Sequence, residues 1–359
     1  MKIKKVTTSI ISVPLKTPFK TALRVVDSIN DVCVRIETAD GMVGLGEAPP
    51  TALITGETID SVRAAIEGFI APKIIGRSVM DFEDLMEAAQ RALIKNTSAK
   101  AAVDMALYDI MAQALNLPLY RLLGGSRTEL ESDVTISLND TDQMIADSMA
   151  AVENGFRILK IKTGKSGLKD AYRVTEIRQA VGSAIELRVD ANQGWTPKES
   201  VRIIQAMEDG GCGASLVEQP VNAHDIDGLR YVTQNTATPI LADEAVFSPS
   251  DAIEIIRTGA ADMINIKLMK TGGIHEALKI CDIAGIYGTP CMMGCMLESR
   301  LSTAAAAHLA AAKHIISMVD LDGPMLCASD PFTGGPNFSG ARIKMSDDPG
   351  VGIIYGLLN

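Results

Sequence analysis

No basic stripe, no long apolar run and no regularly spaced cysteine pairs stand out in this chain, and each lack removes a class of protein. Lysine and arginine number 34 against 44 acidic residues, leaving a net charge of −10. Nucleic-acid surfaces draw most of their affinity from clustered cations, so a nucleic-acid partner is excluded. The most promising apolar stretch, STAAAAHLAAA, is short, built of small residues and interrupted by His308. It falls well below the roughly 20 residues that a spanning helix needs, so no membrane partner is expected. The opening MKIKKVTTSIISVPL sets lysines before an apolar patch, but the patch alternates with Thr and Ser and stops at Pro14 without a small-residue cleavage site. It reads as a first strand rather than a signal peptide, and a cytoplasmic location follows as an expectation. The cysteines, Cys33, Cys212, Cys281, Cys291, Cys295 and Cys327, are scattered through apolar segments, where a thiol acts as a small hydrophobe. Cys291 and Cys295 lack a second Cys or His pair at finger-like spacing, so zinc is not expected.

What is present is ample material for a core: 47% of the 359 residues are hydrophobic and 22% charged. That length suits two domains, or one barrel with an addition. Alternating segments in residues 1–55, with a turn signal at Asp40-Gly41, predict strands. Helical spacing dominates residues 58–123, most clearly in SAKAAVDMALYDIMAQALNL, where Ser98 is placed to cap the start and Pro118 lies beyond the end. Gly124 and Gly125 read as its left-handed stop.

From residue 130 the texture changes to a regular beat. Eight short strand-like runs recur, SDVTISL, ILKIK, IELRVDAN, ASLVEQP, PILADE, DMINIKL, TPCMMGC and ISMVDLDG, with helix-like segments such as KDAYRVTEIRQAVG between them. Their polar ends, Lys162, Asp190, Glu218, Asp243, Lys267, Gly294 and Asp320, follow one another at steps of 24 to 28 residues. One βα unit repeated at this length predicts an α/β fold with a parallel barrel, since a doubly wound sheet would carry a Gly-rich first turn. In such barrels chemistry sits at the C-terminal strand ends, which is where these charges fall.

The run ILKIK buries lysines among Leu159 and Ile161, and Lys160 and Lys162, two apart, share a face. Asp190, Glu218 and Asp243 end three consecutive strands and would repel one another unless a cation neutralises them. An all-oxygen set of this kind suits a hard ion, Mg2+ before Mn2+. Glu244, adjacent to Asp243, is expected to point to the opposite face, which leaves open which of the two is the ligand. Lys267 ends the sixth strand, so lysines flank the carboxylates on both sides, and a neighbouring dication or ammonium would lower their pKa toward that of a working base. A Schiff-base aldolase also uses a barrel lysine but needs no carboxylate trio, and a barrel that merely binds peptide needs no lysines.

These residues resemble the enolase superfamily in its muconate-lactonizing branch. The resemblance rests on KIK at 160–162, on DAN, VEQP and ADE, on Lys267 in NIKLMKTGG, on GLGEAPP at 44–50 and on ALYDIMAQALNLPLYRLLGG at 106–125, and so spans nearly the whole chain. It implies a modified (β/α)7β TIM-like barrel over residues 126–323. An α+β capping domain over residues 1–125, completed by residues 324–359, would cover it. Asp320 and Asp322 in VDLDGP resemble the pair that holds a substrate ammonium in dipeptide epimerases, and disfavour relatives with purely anionic substrates. The four histidines, His224, His275, His308 and His314, fall in helix-like segments, which disfavours a histidine base.

The implied activity is a Mg2+-dependent isomerase: 1,1-proton transfer at the α-carbon of the C-terminal residue of a dipeptide, foremost L-Ala-L-Glu to L-Ala-D-Glu in murein peptide metabolism. Lys162 and Lys267 would be the two bases, with Lys160 stabilising the developing oxyanion. Asp190, Glu218 and Asp243 would hold one Mg2+, or Mn2+ in its place, with Asn192 in support. Arg24, in a loop similar to that of Ala-Glu epimerases, would pair with an acidic side chain. Thr135 and Met296 would line the pocket, and a homo-oligomer is the expected assembly. Other dipeptides, hydrophobic or cationic, and the o-succinylbenzoate synthase and muconate cycloisomerase reactions remain alternatives.

Overall fold

The alternating N-terminal segments become three antiparallel strands, Ile3–Lys20, Val25–Thr38 and Val43–Ala48, paired in chain order in a computed structural model that describes residues 1–355. Gly41, at φ 91°, makes the turn between the last two. This sheet lies on the helix Thr97–Ala114, and Gly44 and Gly46 bring strand and helix backbones together: a Cβ on Gly46 would sit 1.9 Å from the Ala102 carbonyl oxygen. Ser98 does not cap that helix. The helix starts at Thr97, and the carboxylate of Glu57 accepts the Ser98 and Ala99 amides at 2.9 and 3.2 Å. A carboxylate from a distant loop satisfies these free amides better than a hydroxyl already inside the first turn. Gly124, at φ 84°, follows the short helix Leu119–Leu122 in the left-handed conformation expected of it.

All eight strand-like runs are strands of one parallel sheet: Val134–Ile136, Ile158–Lys162, Glu186–Asp190, Ala214–Glu218, Ile240–Ala242, Met263–Ile266, Cys291–Gly294 and Ile316–Asp320. We call them barrel strands one to eight. The first and eighth are drawn together by the Asp133 amide on the Val319 carbonyl at 3.2 Å and by the Leu321 amide on Ser132 Oγ at 2.8 Å. Seven helices of ten residues or more join consecutive strands, while among the described residues the eighth strand is followed by a single helix of four residues, Gly323–Leu326. The fold is therefore a barrel of the (β/α)7β kind. Beyond it, Asn337–Ser339 and Arg342–Lys344 extend a small sheet begun by Glu129–Glu131, and the Val351 amide donates to Asp109 in the N-terminal helix at 2.9 Å.

Barrel strands are covered on both faces, which explains the apolar continuity of runs such as ILKIK. Leu159 and Ile161 face the helices, while Lys160 and Lys162 point inward and are also buried. One apolar cluster runs from Ile3 in the sheet through Ala102 in the long helix to Ile264 in the barrel, so the sheet and barrel share a core. All six cysteines are buried free thiols. Among the described residues no helix is long and apolar enough to cross a membrane. Of the histidines, His275 and His308 are helical, but His224 and His314 lie in turns, because the helices near them start later or end earlier than their apolar spacing suggested.

Candidate active site

Strand pairing builds the site row by row. Lys162 pairs in register with Asp190, and Asp190 with Glu218, so strands two to four present a cation and two carboxylates at one level. Asp243 follows strand five and Lys267 follows strand six. In an eight-stranded barrel strands two and six are diametrically opposed, which places Lys162 and Lys267 on facing walls. A cleft open at its mouth lies between them. Its wall includes both lysines, Lys160, Asn192, Asp320 and Asp322 from the barrel, together with Thr135 and Met296. Leu23 and Arg24, from the turn between the first two strands of the N-terminal sheet, and Leu53 and Ile54, from the loop after its third strand, also reach it. Asp190, Glu218 and Asp243 are fully buried and lie beneath this surface rather than in it.

Ammonium groups hold those carboxylates. Lys160 Nζ stands 3.1 Å from Asp190 Oδ2, 2.8 Å from Glu218 Oε2 and 2.7 Å from Asp320 Oδ2. Lys162 Nζ is 2.6 Å from Asp190 Oδ2, and Lys267 Nζ is 2.6 Å from Asp243 Oδ2. Burial would lower the pKa of Lys160 and of Lys267, but Asp320 and Glu218 around the first and Asp243 beside the second outweigh it and raise both. In both cases carboxylates are the nearest charges, which is the cause of the rise. Burial works the other way on the acids, raising Glu218 to about 7; for Asp190 the raising effect of burial is overcome by Lys162 and Lys160. Asp322, raised to about 6 by burial and by Asp320, accepts the Thr135 amide at 2.7 Å. Among the described residues Arg24 has no salt-bridge partner; burial lowers its pKa and the charge of Asp31 acts against that.

Glu244 does not point away from Asp243. Its Oε1 accepts the Asn192 side-chain amide at 3.3 Å, on the same side as the cluster. Strand five ends at Ala242, so the pair lies in a turn where two-residue alternation no longer holds. Three supporting residues escaped the sequence reading. Gln219 Oε1 accepts the Asp243 and Ala245 amides at 2.9 and 3.1 Å and shapes that turn. Asn265 Nδ2 donates to Glu218 Oε1 at 2.9 Å. Lys270, wholly buried, binds Asp243 Oδ1 at 2.7 Å and the carbonyl oxygens of Asp243 and Asn265. Asn265 could have been found by the two-residue rule from Lys267; Gln219 and Lys270 act through a turn that only the fold creates. Asn192, Gln193 and Gln219 have φ of 43°, 66° and 34°, so the backbone just past strands three and four is held in a left-handed conformation costly for these residues.

Among the described residues no three acidic, histidine or cysteine side chains converge on one point as they stand, since Lys160 sits between Asp190 and Glu218 and Lys267 against Asp243. The donors nevertheless suit a hard divalent ion: three buried carboxylates from consecutive strands, with Glu244 Oε2 and Asn192 Oδ1 buried and without hydrogen-bond partners beside them.

A barrel of this type, capped by an N-terminal sheet and helix and carrying lysines on opposed walls, defines a class, and sequence comparison bears it out. Residues 143–355 match the enolase C-terminal domain-like family, and residues 5–124 match the N-terminal domain of mandelate racemase and muconate lactonizing enzyme. The chain belongs to this family of the enolase superfamily. Within it, the chain is 51% identical to the L-Ala-D/L-Glu epimerase of Clostridium acetobutylicum, covering 98% of this chain and 99% of that protein. It superposes with a TM-score of 0.98 on the substrate-liganded complex of the L-Ala-D/L-Glu epimerase from Bacillus subtilis, at 50% identity and with both chains covered completely. The dipeptide epimerase from Enterococcus faecalis, complexed with Mg and the dipeptide L-Leu-L-Tyr, gives a TM-score of 0.95 at 42% identity over 98% of this chain and 99% of that one.

Proposed function

We propose that this protein is a magnesium-dependent dipeptide epimerase that inverts the α-carbon of the C-terminal residue, converting L-Ala-L-Glu to L-Ala-D-Glu. The observation that carries this reading is the placement of Lys162 and Lys267 on opposed strands across one cleft, with a carboxylate trio beneath. In one direction Lys162, as the free amine, accepts the α-proton, and Lys267, as the ammonium ion, delivers its own proton to the opposite face. The reverse reaction exchanges these roles. Lys160 faces the oxygen on which negative charge grows and stabilises it. Asp320 and Asp322 receive the substrate ammonium, Arg24 pairs with the substrate side-chain carboxylate, and Thr135 and Met296 shape the wall. Asp190, Glu218 and Asp243 would hold the magnesium ion, with Asn192 in support. When bound, that ion supplies Lewis-acid stabilisation of the substrate carboxylate. A cytoplasmic enzyme acting on murein peptides, assembled as a homo-oligomer, is the setting we assign to it.

The experiment is proton exchange in D2O. Wild type should incorporate deuterium at the α-carbon from either epimer; Lys267→Ala should lose exchange from one epimer and Lys162→Ala from the other. EDTA should abolish turnover and added Mg2+ restore it, with Mg2+ raising the melting temperature independently of activity. Unchanged exchange from both epimers in both variants refutes the assignment. A hydrophobic C-terminal residue is the second reading, favoured by Leu23, Leu53, Ile54 and Leu297 in the cleft wall, and a dipeptide library read in the same assay decides between them.

A further inference from the structure

The GLGEAPP segment takes no part in the chemistry above, yet its glutamate is one of the most completely committed carboxylates in the protein. Glu47 is fully buried near the end of the third strand of the N-terminal sheet. Its Oε1 accepts the Ser299 amide at 2.9 Å, and its Oε2 accepts the Ser299 hydroxyl at 2.6 Å and the Ser302 amide at 2.9 Å. Ser299 and Ser302 open the barrel helix Arg300–Ala312, so a residue of the sheet satisfies the free amides at the start of a barrel helix some 250 positions away in sequence.

Two further links join this contact to the cleft. Residues 295–299 connect strand seven to that helix and carry Met296 and Leu297, which line the wall. Glu298, on the same loop, accepts the Met296 amide at 2.7 Å and the Ser302 hydroxyl, locking the loop from its barrel side. On the other side lies Asp31, fully buried, whose carboxyl is pushed well above its ordinary range by burial and by the charge of Glu47. The backbone beneath Glu47 cannot give way: Gly44 and Gly46, on the same strand, press on the carbonyls of Ala106 and Ala102 so closely that no side chain fits.

We infer that Glu47 is a positioning residue for the specificity pocket: through its bonds to Ser299 and Ser302 it fixes the Met296–Leu297 wall against the N-terminal sheet, so that the sheet and barrel present one pocket. It touches no reacting atom. The inference rests on the dipeptide epimerase reading for its kinetic consequence, but not for its structural one.

The test is Glu47→Gln, which keeps the size and sets an amide where one acceptor stood. With L-Ala-L-Glu, KM should rise about tenfold or more while kcat stays within about threefold. Amide hydrogen exchange of the intact protein without substrate should quicken at residues 295–302 and stay unchanged in the other barrel helices. Asp109→Asn, which loosens a comparable buried carboxylate that accepts the Leu45 and Val351 amides away from the cleft wall, should lower the melting temperature and leave KM as it was. If Glu47→Gln does not fold, Ser299→Ala removes one of the three donors and is judged by the same two readouts. Both changes together support the inference, and any other pattern, including exchange that quickens evenly through sheet and barrel, overturns it. Should wild type turn over no dipeptide at all, the epimerase reading fails, and the exchange pattern alone decides the role of Glu47.

Discussion

Lys160 and Asp320 meet at 2.7 Å, Nζ to Oδ2, although they lie 160 residues apart. The contact ties the second barrel strand to the eighth and makes one lysine the shared partner of the carboxylate floor and of the proposed ammonium pocket. A substrate ammonium arriving at Asp320 would compete for the same oxygen and free Lys160 to turn toward the substrate.

Asp320→Asn tests that arrangement. Removing one partner of a buried, hydrogen-bonded charge pair costs about 2–5 kcal/mol, so kcat/KM should fall by roughly 30-fold or more, mainly through KM. N-acylated dipeptides, which lack the ammonium, should lose little further. An equal fall for free and acylated substrates would remove Asp320 from ammonium binding.

Arg24→Met tests the side-chain contact. A site that pairs with a charged group loses about 2–3 kcal/mol when its partner is deleted, so kcat/KM for L-Ala-L-Glu should drop about 100-fold. For L-Ala-L-Leu it should change by less than about threefold. Parallel losses on both substrates would assign Arg24 a structural role instead.

His308 offers a pH test away from the site. It is fully buried, its Nδ1 accepts the Tyr120 amide at 3.0 Å and its Nε2 lies 3.3 Å from the Val351 carbonyl, an arrangement that needs the neutral ring. Burial pushes its pKa down to about 4. The folded pKa lies below the unfolded value near 6.5, so the unfolded chain takes up the proton first. The stability it contributes is whole above about pH 6.5 and is lost as pH falls toward 4, amounting to about 2 kcal/mol by pH 5. Urea unfolding at pH 7 and pH 5 should show wild type losing about 2 kcal/mol more than His308→Gln. A gap between the two that does not change with pH would rule this out.

Gly46→Ala tests the seating of the sheet. Its Cβ would meet the Ala102 carbonyl oxygen at 1.9 Å, and backbone cannot swing aside as a side chain can. The loss should be about 3 kcal/mol or more, read as a large fall in melting temperature. Gly285→Ala, inside the helix Ile274–Tyr287 with nothing within 4 Å, is the matched control and should gain roughly 0.5–1 kcal/mol. Similar melting temperatures for the two variants would contradict the close approach.

Much of the barrel is legible because parallel strands buried on both faces must be short and apolar, and their polar ends fall at the mouth. The lysines of ILKIK, the carboxylates after strands three to five and Lys267 could be found this way, since each sits at a strand end. Alternation fails one residue past a strand, which is why Glu244 was expected on the wrong side. Ser98 misled for a related reason, as helix propensity does not reveal a cap supplied by Glu57.

The sequence by itself determined the eight-strand beat, the opposed lysines and the acidic trio, because these depend on periods of two and on repeated units that any reader of the chain can count. Only the tertiary structure decided which ammonium meets which carboxylate, that Gln219 and Lys270 brace Asp243, and that Glu47 closes the start of a distant helix. Those contacts join positions brought together by packing, and no local pattern encodes the distance between groups that meet only when the barrel closes and the sheet settles upon it.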